Sequence, residues 1–500
     1  MTSTRPNGHV APPARAPWTA LVIMAAAAFM DLLDATIVQV ALPSMQRHLH
    51  LGDAALQWVV SVYTLAFALL LITGARAGDR AGRRRCFLAG LAAFVAASAA
   101  AGAARSGGML IAFRAVQGGA AAFMLPQVLT FVQAEFSEQA KGKAFAIYGM
   151  VLALAGAAGP LLGGILLSAN IAGLGWRAIF LINVPVGAAA FAAGIRHIPA
   201  SPADLSRQVS APSVAVLTLA LVAVFYPLIQ GRDLGWPAWA FVMLGMSVPL
   251  LAGFALMQHR LARSGRPPMV DLALFRSPAT STGLAVALIF FGATSFFFIL
   301  TLYLQSGLGY SPLRTGLSFI PFSAGIIAGS ATAAPLGQRF GRAAAGAGTL
   351  AMTAALASMT ALIGHYRTGL HAWQLAPSLT VAGIAFGIVS GTLAGIVLGQ
   401  VPARLSAGAS GVINTVIEFG SVLAIATAGG IFFAVLGPRP TGSAFTHAAS
   451  AALWYLTICC AATTAGSAFL PAGRGTVSRR APRSGQSDTA RRTARSGPWP

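Results

Sequence analysis

Long apolar runs recur along this chain, each close to the roughly 20 residues that a helix needs to cross a bilayer. Their spacing predicts fourteen spans, over residues 18–42, 56–77, 86–104, 108–134, 143–168, 177–195, 211–231, 238–260, 280–304, 315–337, 344–365, 375–399, 408–436 and 448–470. The first run, WTALVIMAAAAFMDLLDATIVQVAL, is too long for a signal-peptide core. It holds two aspartates and no clear cleavage site, so it reads as a span. The expected fold class is an all-α integral membrane protein.

Charge then orients the spans. Basic residues number 25 on the side of both chain termini and 7 on the opposite side, counting those at span ends, with Arg114 the one that lies well inside a span. The positive-inside rule puts the arginine-rich side, and both termini, in the cytoplasm. That distribution also accounts for the net charge of +22 without nucleic acid. Charged residues are 9% of the chain, against about 25% in soluble domains. Three cysteines, two of them adjacent, exclude a disulfide framework. Arginine outnumbers lysine 31 to 2, which with abundant alanine suggests a GC-rich bacterial genome. The tail 471–500, rich in Arg, Ser, Gly and Pro, is expected to be disordered.

A short loop motif appears twice. GDRAGRRR follows span 2 (Gly78 to Arg85) and GQRFGR follows span 10 (Gly337 to Arg342). The matching phase predicts two copies of a six-helix unit with two helices inserted between them. Such repeats build many secondary transporters, with the substrate site at the repeat interface. The expected domains are an N-tail (1–17), an N-terminal bundle (18–195), a linker with two extra helices (196–260), a C-terminal bundle (280–470) and the basic C-tail (471–500).

Few ionisable residues fall inside spans, and each is a candidate site because a charge in lipid costs several kcal/mol. Asp31 and Asp34 are three residues apart, on one face of span 1. Each serves either proton exchange or a structural hydrogen-bond network. Arg114 in span 4 needs a carboxylate, a carbonyl or a bound anion, and Gln117 lies one turn on. Glu418 in span 13 is open between a proton site, a counter-charge for cationic substrates and a structural group. Glu135 reads as a solvated boundary residue. In span 5, Gly156, Gly159, Gly163 and Gly164 form a small-residue face that lets helix backbones approach, and Pro160 favours a kink. Phe290, Phe291, Phe296, Phe297 and Phe298 of span 9 read as packing rather than as a stacking platform for drugs. The histidines form no metal-spaced cluster, and no metal site or cofactor is expected. No phosphate-binding loop is present to supply an ATPase motor.

Several stretches, in order, resemble the fourteen-helix drug:proton antiporter branch of the major facilitator superfamily. They are LDATIVQVALP (Leu33 to Pro43), DRAGRRR (Asp79 to Arg85), LIAFRAVQGGAAA (Leu110 to Ala122), GAAGPLLGG (Gly156 to Gly164), WRAIFLINVPVG (Trp176 to Gly187) and YLQSGLGYSPLRTG (Tyr303 to Gly316). Departures are Gln39 for an asparagine, Ala75 for a glycine and Glu418 for an amide. The resemblance implies a proton-coupled exporter of hydrophobic or cationic small molecules. It assigns Asp34 and Arg114 to proton coupling and the span 5 motif to antiport. It also implies a cytoplasmic gate at Asp79, Arg80, Arg83 and Arg84, with Asp79 meeting the start of span 13. A proton symporter or importer on the same fold is the alternative; a membrane enzyme or a sensor fits poorly. The expected partners are a small-molecule substrate, protons and the lipid bilayer, and the expected state is a monomer.

Overall fold

The computed structural model describes residues 17–201, 210–266, 268–399, 406–437 and 442–470. Among these residues the secondary structure is helical, and fourteen helices are long and apolar enough to cross a membrane. They are α1 (Trp18–Leu49), α2 (Asp53–Ala81), α3 (Arg83–Gly102), α4 (Gly107–Glu135), α5 (Gln139–Ala169), α6 (Gly175–His197), α7 (Ala211–Gln230), α8 (Ala238–Arg263), α9 (Pro278–Gly307), α10 (Pro312–Phe340), α11 (Arg342–Gly369), α12 (Ala372–Val397), α13 (Ser410–Leu436) and α14 (Gly442–Ser467). The expected tails, residues 1–16 and 471–500, lie outside the described residues.

The observed helices run longer than their apolar cores suggest. Pro43 closes the predicted first span, yet α1 continues through it to Leu49 and stops where His50 turns left-handed (φ 50°). A proline is tolerated in a membrane helix when neighbouring groups satisfy the freed carbonyl. In α6, Pro185 has no N–H to give the carbonyl of Leu181, so one rung of the ladder is missing while Ile182 keeps helical dihedrals (φ −61°, ψ −28°). The missing rung lies beside Asn183.

Six helices make each half, with α7 and α8 between. The halves repeat the same packing device. In the first, a methyl at Gly74 of α2 would lie 2.0 Å from the Ala122 carbonyl oxygen of α4, and one at Gly118 of α4 would lie 2.1 Å from the Tyr63 oxygen. In the second, Gly329 of α10 and Gly383 of α12 stand 2.2 and 2.1 Å from the carbonyl oxygens of Ile384 and Phe322 on the same measure. In both copies of the loop motif the glycine takes a positive φ, +91° at Gly82 and +53° at Gly341, where a side chain would be strained.

The halves meet at the arginine-poor end. Gly164 of α5 and Gly316 of α10 bring the backbones together, so that a methyl at Gly316 would fall 2.3 Å from the Pro160 oxygen. Gln305 of α9 donates to the Val40 carbonyl of α1 at 2.8 Å, and Ser323 of α10 donates to Ala157 of α5 at 3.2 Å. Gln57 of α2 lies against Gly429 of α13. Toward the other end of α5, a methyl at Gly142 or Gly149 would meet nothing within 4 Å. The small-residue face of α5 therefore works in two directions: Gly159 and Gly163 admit Thr36 and Ile37 of α1, while Gly164 admits α10.

Gly316→Ala should force α5 and α10 apart, because its new methyl meets backbone rather than a movable side chain. The expected loss is about 1–3 kcal/mol, read as a lower melting temperature of the purified protein in detergent. Gly149→Ala should leave the melting temperature unreduced.

Candidate functional site

Inside the first half, the acid and the base that the sequence offers to the bilayer find each other. Asp34 is fully buried and Arg114 is 1% exposed. Arg114 Nη1 donates to Asp34 Oδ2 and, at 2.9 Å, to Gln117 Oε1; its Nε donates to the Val59 carbonyl of α2 at 3.2 Å. Asp34 Oδ1 accepts from Gln117 Nε2 at 3.0 Å and from Asn183 Nδ2 at 2.8 Å. Ser98 of α3 accepts from Gln117 and Asn183 at 3.3 and 3.0 Å, and donates to the Phe180 carbonyl at 2.9 Å. Five helices thus contribute to one polar cluster in an apolar bundle, and both charges are balanced and hydrogen-bonded, as burial requires.

Asp31, one turn from Asp34 and 8% exposed, accepts a hydrogen bond from Tyr63 Oη of α2. The Arg114 guanidinium lies over the Tyr63 ring, 4.2 Å from its centroid, within the range of a cation–π attraction. Arg114 therefore touches Asp34 directly and reaches Asp31 through the ring and hydroxyl of Tyr63. With all three ionised, two carboxylates share one guanidinium, and the cluster holds a net charge of minus one.

Glu418 of α13 is half-buried on the side of the C-terminal half. Among the described residues it makes no hydrogen bond or ion pair, unlike Asp34. Its neighbours on α13 show where it points: Gly420 packs on Leu288 of α9, Phe419 stands 6.3 Å from the Phe225 ring of α7, and Gly411, on the same stripe as Glu418, meets Ile72 of α2. Glu418 therefore belongs to the seam between the halves.

Of the residues expected at the gate, Arg83 and Arg84 bond within their own half. Arg83 pairs with Glu135 at 3.1 Å and donates to the Thr130 carbonyl at 3.2 Å, both on α4, while Arg84 donates to the Ile195 carbonyl of α6. Glu135 is thus an ion-pair partner and not simply a solvated boundary residue. Arg80 is exposed. Asp79 is engaged in a polar or electrostatic contact; the side chains of residues 406–409, at the start of predicted span 13 where the partner is expected, lie outside those described. The phenylalanines of α9 pack: Phe290, Phe296 and Phe298 are fully buried, and Phe297 stacks among Phe296, Phe319 and Phe322 with centroids 4.5–4.8 Å apart.

Sequence reading missed Tyr63, Ser98 and Asn183. Asn183 carried a signal: it is a lone amide in the apolar run AIFLINVPV, two residues before a proline. The same reasoning that singled out Gln117 applies to it.

Arg114→Ala should strand the Asp34 charge and destabilise the protein by about 3–5 kcal/mol. Replacing both partners by neutral ones, Asp34→Asn with Arg114→Gln, should cost less than Arg114→Ala alone. Thermal unfolding of the purified variants measures this difference, and a double variant less stable than Arg114→Ala would refute the pairing.

Comparison with known proteins agrees with this architecture. The chain is 38% identical over 442 residues to a probable actinorhodin transporter of Streptomyces coelicolor, covering 88% of this chain and 76% of the relative. It is 31% identical over 437 residues to a tetracenomycin C resistance and export protein of Streptomyces glaucescens (86% and 79%), and 33% identical over 414 residues to a puromycin resistance protein of Streptomyces alboniger (82% and 80%). Among solved structures, a D-xylose–proton symporter superposes with a TM-score of 0.65 over 92% of this chain and 99% of that one; at 11% identity the likeness is one of fold. Residues 24–425 match the Major Facilitator Superfamily, and a transporter of that superfamily, built from fourteen membrane helices, is what this chain is.

Proposed function

We propose that this protein is a proton-driven exporter of antibiotic-like small molecules, working by alternating access in the plasma membrane of a bacterium with both termini in the cytoplasm. The observation that carries the proposal is the sharing of one buried arginine, Arg114, by two carboxylates, Asp34 and Asp31. Such a cluster has a use for one proton. Asp34 is saturated by three donors and anchors the arginine. Asp31 is reached by Arg114 only through Tyr63, and is the carboxyl that exchanges a proton. Glu418 supplies a second acid across the seam, either for a further proton or for a cationic substrate group. Neutralising these acids removes the electrostatic cost of closing the halves over them, which links proton binding to the change of access.

The relatives' printed substrates and resistances, together with the glycine–proline packing of α5, support export over import. The closed arginine-poor end then faces outward, so the structure is closed toward the exterior. The electrical part of the proton gradient supplies about 2.3 kcal/mol per charge per 100 mV. The protein moves its substrate without making or breaking a bond in it, and acts as a monomer.

Everted membrane vesicles with an acid interior provide the test, with a pH-sensitive dye following proton efflux as actinorhodin, tetracenomycin C, puromycin or lipophilic cations are added. Compound-triggered efflux is expected from the parent chain and should be lost in Asp31→Asn. In Glu418→Gln it should persist with weaker apparent affinity for cationic compounds. Efflux in Asp31→Asn equal to the parent would remove Asp31 from proton coupling, and substrate leaving the vesicle lumen together with protons, the importing direction in everted vesicles, would overturn export.

A further inference from the structure

The two inserted helices are held differently on their two sides. α7 lies along the line where α2 meets α13. Leu221 and Phe225 of α7 pack with Leu65 and Leu69 of α2 and with Val422 of α13, and nearer the arginine-poor end Ile229 packs with Ala54 and Ala426. One of the two lateral seams between the halves is therefore covered by the hairpin, while the other, between α5 and α10, is not.

Toward α2 the hairpin is tied by directional bonds at both of its ends. In the α7–α8 turn, Arg232 pairs with Asp53 at 2.7 Å, and Asp233 Oδ2 accepts from the Ala54 amide at 3.1 Å. At the arginine-rich end, Arg76 of α2 donates to the Pro268 carbonyl just after α8. That segment is fixed to the hairpin by Gln258, whose Oε1 accepts from the Met269 amide at 2.7 Å while its Nε2 donates to Ser213 of α7 at 3.0 Å. Toward α13, among the described residues, the contacts are apolar or aromatic: Phe225 against Phe419, Ile229 against Ala426, and the Arg232 guanidinium 5.6 Å from the Phe433 centroid. Hydrogen bonds and ion pairs define a register, whereas apolar contact is non-directional and survives a shift along the helix axis.

We infer that the α7–α8 hairpin moves as part of the N-terminal half, that α13 slides along α7 when the halves rock, and that Arg232, seated between Asp53 and the Phe433 ring, is a positioning residue that holds the arginine-poor end closed.

The test is pulsed electron–electron resonance on the full chain in lipid nanodiscs, at acid and at alkaline pH, with spin labels on paired cysteines at three positions. Leu234 at the hairpin tip is 53% exposed and Val435 at the end of α13 is 44% exposed; a side chain at Gly52, just before α2, meets nothing within 4 Å. The labelled parent chain reports the background from its own cysteines. In whichever condition the halves separate, the Gly52–Leu234 distance is expected to stay constant while the Leu234–Val435 and Gly52–Val435 distances lengthen together. Arg232→Ala should raise the separated population about twofold to fivefold. Arg232→Lys, which keeps the ion pair and weakens the ring contact, should raise it less. A Gly52–Leu234 distance that changes while Leu234–Val435 holds would place the hairpin with the C-terminal half. Distributions in Arg232→Ala equal to those of the parent would overturn the closing role of Arg232. Neither readout depends on the substrate or on the direction of transport.

Discussion

The buried Asp34–Arg114 pair is the interaction on which the rest of the structure depends. Neither ion is tolerable alone in an apolar bundle, and breaking such a pair costs more than the pair itself contributes. The surrounding structure therefore has to satisfy every remaining polar atom. Gln117 does so by bridging both ions, Asn183 completes the carboxylate, and Ser98 orients the two amides. Asn183 reaches the carboxylate from α6, in the turn where Pro185 leaves one rung of the helix ladder open. The α2–α4 contact is equally part of it, because Gly118, one residue from Gln117, allows α4 to lie directly on the backbone of Tyr63.

The same economy of small residues governs the contact between halves. Packing, rather than a hydrophobic driving force, holds helices together in lipid. Gly164 and Gly316 concentrate that packing at the arginine-poor end, leaving the far end of α5 without close neighbours at Gly142 and Gly149. A tight charge cluster lies inside one half, whereas the contact between the halves is glycine-lined and crossed by the hydrogen bonds of Gln305 and Ser323. The cluster is thus separate from the surface on which the halves meet. Asp31 belongs to that cluster through Tyr63, and Glu418 lies on the seam between the halves.

Much of this was legible from the order of residues alone. The apolar runs located all fourteen helices, because lipid leaves the backbone no alternative to the helix. The spacing of Asp31 from Asp34, and of Arg114 from Gln117, picked out residues that the fold brings into one polar cluster. Legibility failed where a contact joins residues distant in sequence. Asp34 meets Asn183 across 149 positions, and nothing local to either residue announces the other. Arg83 and Arg84 were legible as gate candidates but their partners were not, because Glu135 and a main-chain carbonyl belong to helix ends that only the fold brings near. Pro43 ended a span on paper and sits inside a helix in three dimensions, since neighbouring helices can satisfy what it leaves open.

The central claim is that Asp34 stays ionised with Arg114 while Asp31 takes up the transported proton. Infrared difference spectroscopy of the protein in lipid, recorded on acidification, tests it most directly through the carbonyl stretch of protonated carboxyl groups. The account predicts a protonated-carboxyl band that Asp31→Asn removes and Glu418→Gln leaves in part. A band that survives in Asp31→Asn and disappears in Asp34→Asn would contradict it, and would make the ion pair itself the proton carrier.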